Sequence, residues 1–201
     1  MLELPTDLPA ELVPLSWLIG VWEGTGVIDY SVGDQRLTGE FTHRVSFSHD
    51  GGGYLNYSAS AWLDTDEGAP PSPLVSEVGF WRLALPATDA DAGPGLLPAA
   101  SERVVRTVDD IEALRTADGG FEIEVALVHS DGISELYLGR ITGPRIDIAT
   151  DAVVRTAGAK QYTAASRMYG LVDGHLLWAW DIAALGQDLG SHASARLAKA
   201  D

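Results

Sequence analysis

Five histidines are the side chains of this sequence best suited to hold a metal or pass a proton near neutral pH, since imidazole changes charge there and offers a neutral nitrogen donor. No cysteine stands beside them, which excludes a zinc-thiolate site, an iron-sulfur cluster, a cysteine nucleophile and a disulfide framework. His49 adjoins Asp50-Gly-Gly, His129 precedes Ser-Asp-Gly and His175 follows Asp-Gly, so all three read as exposed turn residues. His43 alternates in phase with Phe41, Val45 and Phe47, which turns its ring toward the apolar side of a strand, as a satisfied core histidine or a pocket residue. His192 follows Gly186-Gln-Asp-Leu-Gly-Ser, and a neutral imidazole at a pocket mouth can ligate iron or another metal. Its neighbours Gly190, Ser191 and Ala193 are small and leave room for a flat ligand. Catalytic residues are not identified. There is no Gly-x-Ser-x-Gly and no phosphate loop, and Gly20-x-Trp22-x-Gly24-x-Gly26 has the wrong spacing for a dinucleotide fingerprint. The many paired carboxylates read as a solvated face.

The elements that must position these residues are strands. Phe121, Ile123, Val125 and Leu127 alternate with Glu122 and Glu124, and Leu176, Trp178, Trp180 and Ile182 alternate with His175 and Asp181. Such runs predict about ten strands, near 20–31, 37–49, 53–64, 74–85, 102–108, 120–129, 132–142, 145–151, 159–171 and 174–184, with a last extended stretch near 189–198. Gly51-Gly-Gly, Asp118-Gly-Gly, Ser130-Asp-Gly, Thr142-Gly-Pro and Asp173-Gly supply tight hairpins, hence antiparallel neighbours. Closing such a sheet on itself removes its two edges, so the expected fold is all-β, a single antiparallel up-and-down β-barrel spanning residues 1–201. Only the segment before Gly20, with Leu12, Leu15 and Leu18 around Pro14, reads as a short helical turn. Residues 64–73 and 86–101 read as surface loops, the second as an insertion outside the barrel. A barrel this wide leaves a lumen for a ligand. Trp22, Phe47, Leu127 and Trp180 are expected to point inward.

The 201 residues include 13 basic and 29 acidic side chains, a formal charge of −16 that repels phosphate backbones and anionic lipid. With 46 % hydrophobic residues, no long apolar run and no signal-like N-terminus, the chain is expected to be a cytoplasmic protein with no nucleic-acid and no membrane partner. A homodimer would use outward apolar residues or the segment around Trp17.

Four stretches together resemble the nitrobindin family. They are Leu18-Ile-Gly-Val-Trp-Glu-Gly-Thr-Gly, Gly79-Phe-Trp-Arg, Ala159-Lys160 and Ala184-Leu-Gly-Gln-x-Leu-x-x-His192, in the family's order and spacing. Its signature Gly-x-Trp-x-Gly-x-Gly is matched at Gly20, Trp22, Gly24 and Gly26. The resemblance implies a ten-stranded barrel, related in shape to fatty-acid-binding proteins, that binds ferric heme b at its mouth, with His192 as the iron ligand. It further implies reversible nitric oxide binding and isomerisation of peroxynitrite to nitrate at an open axial position. The chain departs from the family where Ser31-Val32 replaces a Pro-Thr pair, and at Asp188 and Ala193, where proline and leucine are usual. Apart from the resemblance, alternate glycines at 24 and 26 bare one face of the first strand for curvature or the close approach of a ligand or a neighbouring backbone.

An alternative in another class is a carrier of an apolar molecule such as a fatty acid, with Lys160 or Arg167 pairing its carboxylate. His43 and Lys160 are the further candidate pocket residues. In the plainer reading of Lys160 and Arg167, both lie on an exposed strand face.

Overall fold

The computed structural model describes residues 8–65, 69–86 and 106–200. Ten strands run in chain order: β1 (Gly20–Val32), β2 (Gln35–Ser48), β3 (Leu55–Leu63), β4 (Ser72–Leu83), β5 (Phe121–His129), β6 (Ile133–Thr142), β7 (Arg145–Arg155), β8 (Tyr162–Val172), β9 (His175–Ala184) and β10 (Gly190–Lys199). Each is antiparallel to the next, and β1 pairs with β10, closing an up-and-down barrel without an edge. The alternating faces set the register. Phe121, Ile123, Val125 and Leu127 are buried on β5, and Trp22, Phe47 and Trp180 also point inward as expected. Asp173 and Gly174 both take positive φ (50° and 73°), the two-residue turn whose twist suits a hairpin, and join Val172 directly to His175.

Of the expected strand at 102–108, the described residues 106–108 are not part of the barrel. Residues 102–105 lie outside the described residues, and Val108–Glu112 forms a short helix, α1. Thr107 caps it: its hydroxyl accepts from Asp110 N at 3.2 Å, while the Asp110 carboxylate accepts from Thr107 N at 2.7 Å. The tenth strand is instead the stretch near 189–198. Of the expected insertion 86–101, only the exposed Pro86 falls among the described residues.

Because neighbouring strands alternate in direction, the connections fall at two ends. One end is plugged by a 3-10 helix (Ala10–Leu18) leading into β1 and by α1 leading into β5. Leu12, Leu15, Leu18 and Ile111 are buried there. Each stabilises by roughly 1.5–3 kcal/mol relative to exposure in water. Trp22 belongs to this plug: its indole N–H donates to Leu18 O at 2.7 Å. Above it the lumen is filled by rings such as Phe47, Trp81 and Tyr169, with centroids 5.4 Å and 5.1 Å apart in edge-to-face contacts. The opposite end stays open.

Gly24 and Gly26 serve the close approach of β10. A Cβ at Gly24 would lie 2.3 Å from Arg196 O, and one at Gly26 would lie 2.4 Å from Ser194 O. Both obstacles are backbone and cannot step aside. Gly24→Ala should therefore spread the β1–β10 seam and cost about 1–3 kcal/mol, read as a lowered urea midpoint. An unchanged midpoint would show that the seam yields.

Candidate functional site

A cavity opens at the unplugged end, with an empty volume of about 930 Å³ including its open mouth. Its walls are mostly apolar, among them Ile28, Phe41, Ile133, Trp178, Trp180 and Ile182, with a few polar groups at the rim and floor. This is the general composition of a site for a largely apolar ligand with a few fixed polar contacts.

His192 stands on its wall because of an irregularity in the sheet. On β10, Ser191 pairs with Asp181 and Ala193 with Trp180, so His192 is the extra residue of a β-bulge. A bulge re-aims the side chain it carries. The ring lies 4.3 Å from that of Tyr30 and meets Trp180 edge-on at 5.3 Å, centroid to centroid. Its Nδ1 is buried without a hydrogen-bond partner among the described residues. Burial first, and the nearby Lys160 charge second, push its pKa down to about 4, so the imidazole is neutral at neutral pH and its lone pair is available. A second hollow beside His192 is lined by Ser31, Val32 and Asp188, three of the four positions at which the chain departs from the nitrobindin pattern.

The other expected residues are placed unevenly. His43 points inward but below the cavity: its Nδ1 lies 3.1 Å from Ser60 O, its ring stacks on Trp178 at 4.9 Å, and burial lowers its pKa. It supports Trp178 and does not line the cavity. Lys160 reaches the cavity mouth, from the exposed loop before β8 and not from a strand. Of the signature, Trp22 serves the plugged end, and Gly24 and Gly26 the seam. His49 and His175 are half-buried rather than exposed.

Two expectations are overturned. His129 is no exposed turn residue: it is the last residue of β5, 7 % exposed, and it lines the cavity. Arg167 does not lie on an outward face of β8 but is buried at 2 % exposure. Both belong to an ionic cluster beneath the cavity floor. Arg167 grips Glu77 with two parallel hydrogen bonds, Nη1 to Oε1 at 2.6 Å and Nη2 to Oε2 at 2.8 Å, and reaches Glu135 Oε2 at 3.3 Å. Glu135 accepts from Tyr137 at 2.7 Å and from Tyr162 at 2.5 Å, and Glu77 accepts from Tyr57 at 2.6 Å. His129 Nε2 lies 2.5 Å from Glu135 Oε2 and 3.5 Å from Glu77 Oε2. The guanidinium also sits 4.6 Å from the centroid of Trp180, the ring that touches His192. Oxygen and nitrogen atoms of Glu77, His129 and Glu135 converge within 4.8 Å, a spacing a metal ion could use, but Arg167 already forms an ion pair with both carboxylates there.

Burial alone would raise the pKa of Glu77, yet the charge and hydrogen bonds of Arg167, with help from His129 and Tyr57, outweigh it and hold the group at about 2. Glu135 is shifted in the same direction: burial opposes the shift, and His129, Arg167 and Tyr162 overcome it. A carboxylate with a depressed folded-state pKa binds fewer protons folded than unfolded, so its stabilisation is present above the unfolded value and lost as pH falls. Stability should therefore decline between about pH 4.5 and 2, by about 3 kcal/mol from Glu77 alone. Urea midpoints across this range check it, and Glu77→Gln should flatten the decline.

The sequence held a signal for this cluster that the turn compositions masked. His129 continues the inward parity of Phe121 to Leu127, while Glu77 and Glu135 share parity with buried Trp81 and Tyr137. Charged residues at inward positions of several strands point to one another.

The THAP4-like, heme-binding beta-barrel domain family matches residues 11–199. A protein named peroxynitrite isomerase from Leifsonia xyli subsp. xyli is 64 % identical over 100 % of both chains, and one of the same name from Clavibacter michiganensis subsp. michiganensis is 61 % identical, also over 100 % of both. The crystal structure of Rv2717c from M. tuberculosis superposes with a TM-score of 0.67 over 99 % of this chain and 100 % of that one, at 24 % identity, a likeness of fold. No helix among the described residues is long and apolar enough to cross a membrane.

Proposed function

This chain belongs to the family of THAP4-like, heme-binding beta-barrel domains, and on that premise we propose that it binds heme b through His192 at the open end of the barrel and isomerises peroxynitrite to nitrate, with reversible nitric oxide binding at the same centre. The observation that carries the reading is the bulged His192, a neutral imidazole whose buried Nδ1 has no partner among the described residues, set on the wall of an apolar cavity. A buried polar atom without a partner is costly, and a coordinate bond relieves that cost. The residues present fit the group: Trp178, Trp180, Ile28 and Ile182 offer apolar walls to a macrocycle, and Lys160 at the mouth offers a cation to its carboxylates.

When bound, the iron supplies the redox-active, Lewis-acidic centre at which such nitrogen oxides react. The protein holds His192 neutral by burial and fixes its direction through the bulge and the flanking Tyr30 and Trp180 rings. The acid-carrier alternative loses its best cation, because Arg167 is fully engaged by Glu77 and Glu135. Titration of the purified protein with hemin tests the reading. It should give a Soret band of a histidine-ligated heme that saturates at one equivalent. Failure to saturate, together with a fatty acid recovered by solvent extraction, would favour the carrier.

A further inference from the structure

Strand order places His129 and His192 on opposite walls of the barrel. In the closed series, β5 is five strands from β10 whichever way round the barrel is followed, so the two strands are diametrically opposed. His129 ends β5 and His192 lies near the start of β10, and since these strands run in opposite directions both residues stand at the open end. Both line the same cavity. Both also contact Trp180, His129 nearly parallel to it at 6.3 Å and His192 edge-on at 5.3 Å.

The ring of His129 is oriented by what lies beneath it. Nε2 is directed at Glu135 Oε2, and a carboxylate can only accept, so Nε2 carries a proton. Nδ1 makes no hydrogen bond among the described residues and is the nitrogen left for a molecule in the cavity. The cluster below contains two carboxylates against one guanidinium, so it lacks one positive charge. A small anion taken up together with a proton would share that proton with Nδ1, which faces it from the wall of the cavity. Lys160 at the mouth supplies a further positive charge, opposed by Asp131 on the same rim. In a chain of net charge −16, such local cations are what would draw a small anion inward.

We propose that His129, oriented by Glu135, is the residue that hydrogen-bonds a small anionic ligand held in the cavity across from His192. The proposal rests on the heme reading and adds the partner that the ligand meets on the opposite wall. Glu135 is a positioning residue, and Arg167, Tyr137 and Tyr162 hold Glu135 in turn.

Azide is the probe. In hemin-loaded protein near neutral pH, His129→Leu should weaken azide binding about tenfold, the loss of one hydrogen bond to a charged partner. The Soret band of the azide-free form should stay as in the wild type, because His192 is untouched. The wild-type ferrous carbon monoxide adduct gives a second readout that needs no variant: its C–O stretching band should shift in D₂O, reporting an exchangeable donor. If His129→Leu fails to fold, that band alone decides. Unchanged azide affinity in a folded variant, or a wild-type band indifferent to D₂O, would overturn the role of His129 while leaving heme binding intact. Absence of any Soret band in the wild type would remove the heme reading, and this proposal with it.

Discussion

Arg167→Met should lower the stability of the barrel by about 3–5 kcal/mol, more than any other single substitution predicted for this chain, because it strands two buried carboxylates without their cation. Methionine matches the apolar stem of arginine, so little of the loss would come from an empty space. The loss follows from charge: Glu77 and Glu135 must then be protonated or left unpaired at 3 % exposure each. Against a typical total of about 5–15 kcal/mol this is a large fraction, and the urea midpoint should fall accordingly. Arg167→Lys should recover part of it, since an ammonium restores charge but not the paired contacts to Glu77. The triple change Arg167→Met, Glu77→Gln, Glu135→Gln should be milder than Arg167→Met alone, because neutral amides tolerate burial better than orphaned anions. If the single variant loses less than about 1 kcal/mol, the cluster is not the ion-pair network its distances describe.

His192→Ala should weaken hemin binding by more than about 100-fold, since loss of even an outer-shell partner of a metal ligand typically costs 10–100-fold in affinity. Stability should change little, because the side chain is half-buried at a bulge and makes no hydrogen bond among the described residues. That contrast separates the two predictions: Arg167 governs folding, and His192 governs occupancy. His43→Ala should do the reverse of His192→Ala, lowering stability through the lost Trp178 stack and the bond to Ser60 O while leaving the wavelength of the hemin band in place. Titration of the three proteins with hemin, followed at the Soret band and paired with urea unfolding, measures both quantities. Undiminished hemin affinity in His192→Ala would remove the assignment.

Strand content and the barrel were legible because they rest on local rules. Period-two alternation in the runs at Phe121, Phe41 and Leu176 reports which face is dry, and glycine-containing turns report that successive strands are neighbours. Where the strand expected at 102–108 falls among the described residues, at 106–108, a competing local rule won: the Thr107–Asp110 capping box starts a helix, and Ile111 is buried within the plug. Lys160 slipped from strand to loop, since β8 begins only at Tyr162.

The sequence by itself determined that the chain is a closed antiparallel barrel with a helical lead-in, and it singled out His192 through the segment from Ala184 onward. Both are written in consecutive residues, as alternation, turns and a motif. Only the tertiary structure decided that Glu77, His129, Glu135 and Arg167 meet, because they come from four different strands, with Glu77 and Arg167 separated by 90 positions. No local pattern encodes that meeting. A charged residue at an inward position looks the same in the chain whether it is an error of parity or one part of a network, and it is barrel closure that brings the parts within hydrogen-bond distance. The same closure sets β5 across from β10, and so turns an apparent turn histidine into a residue that lines the same cavity as His192 from the opposite wall.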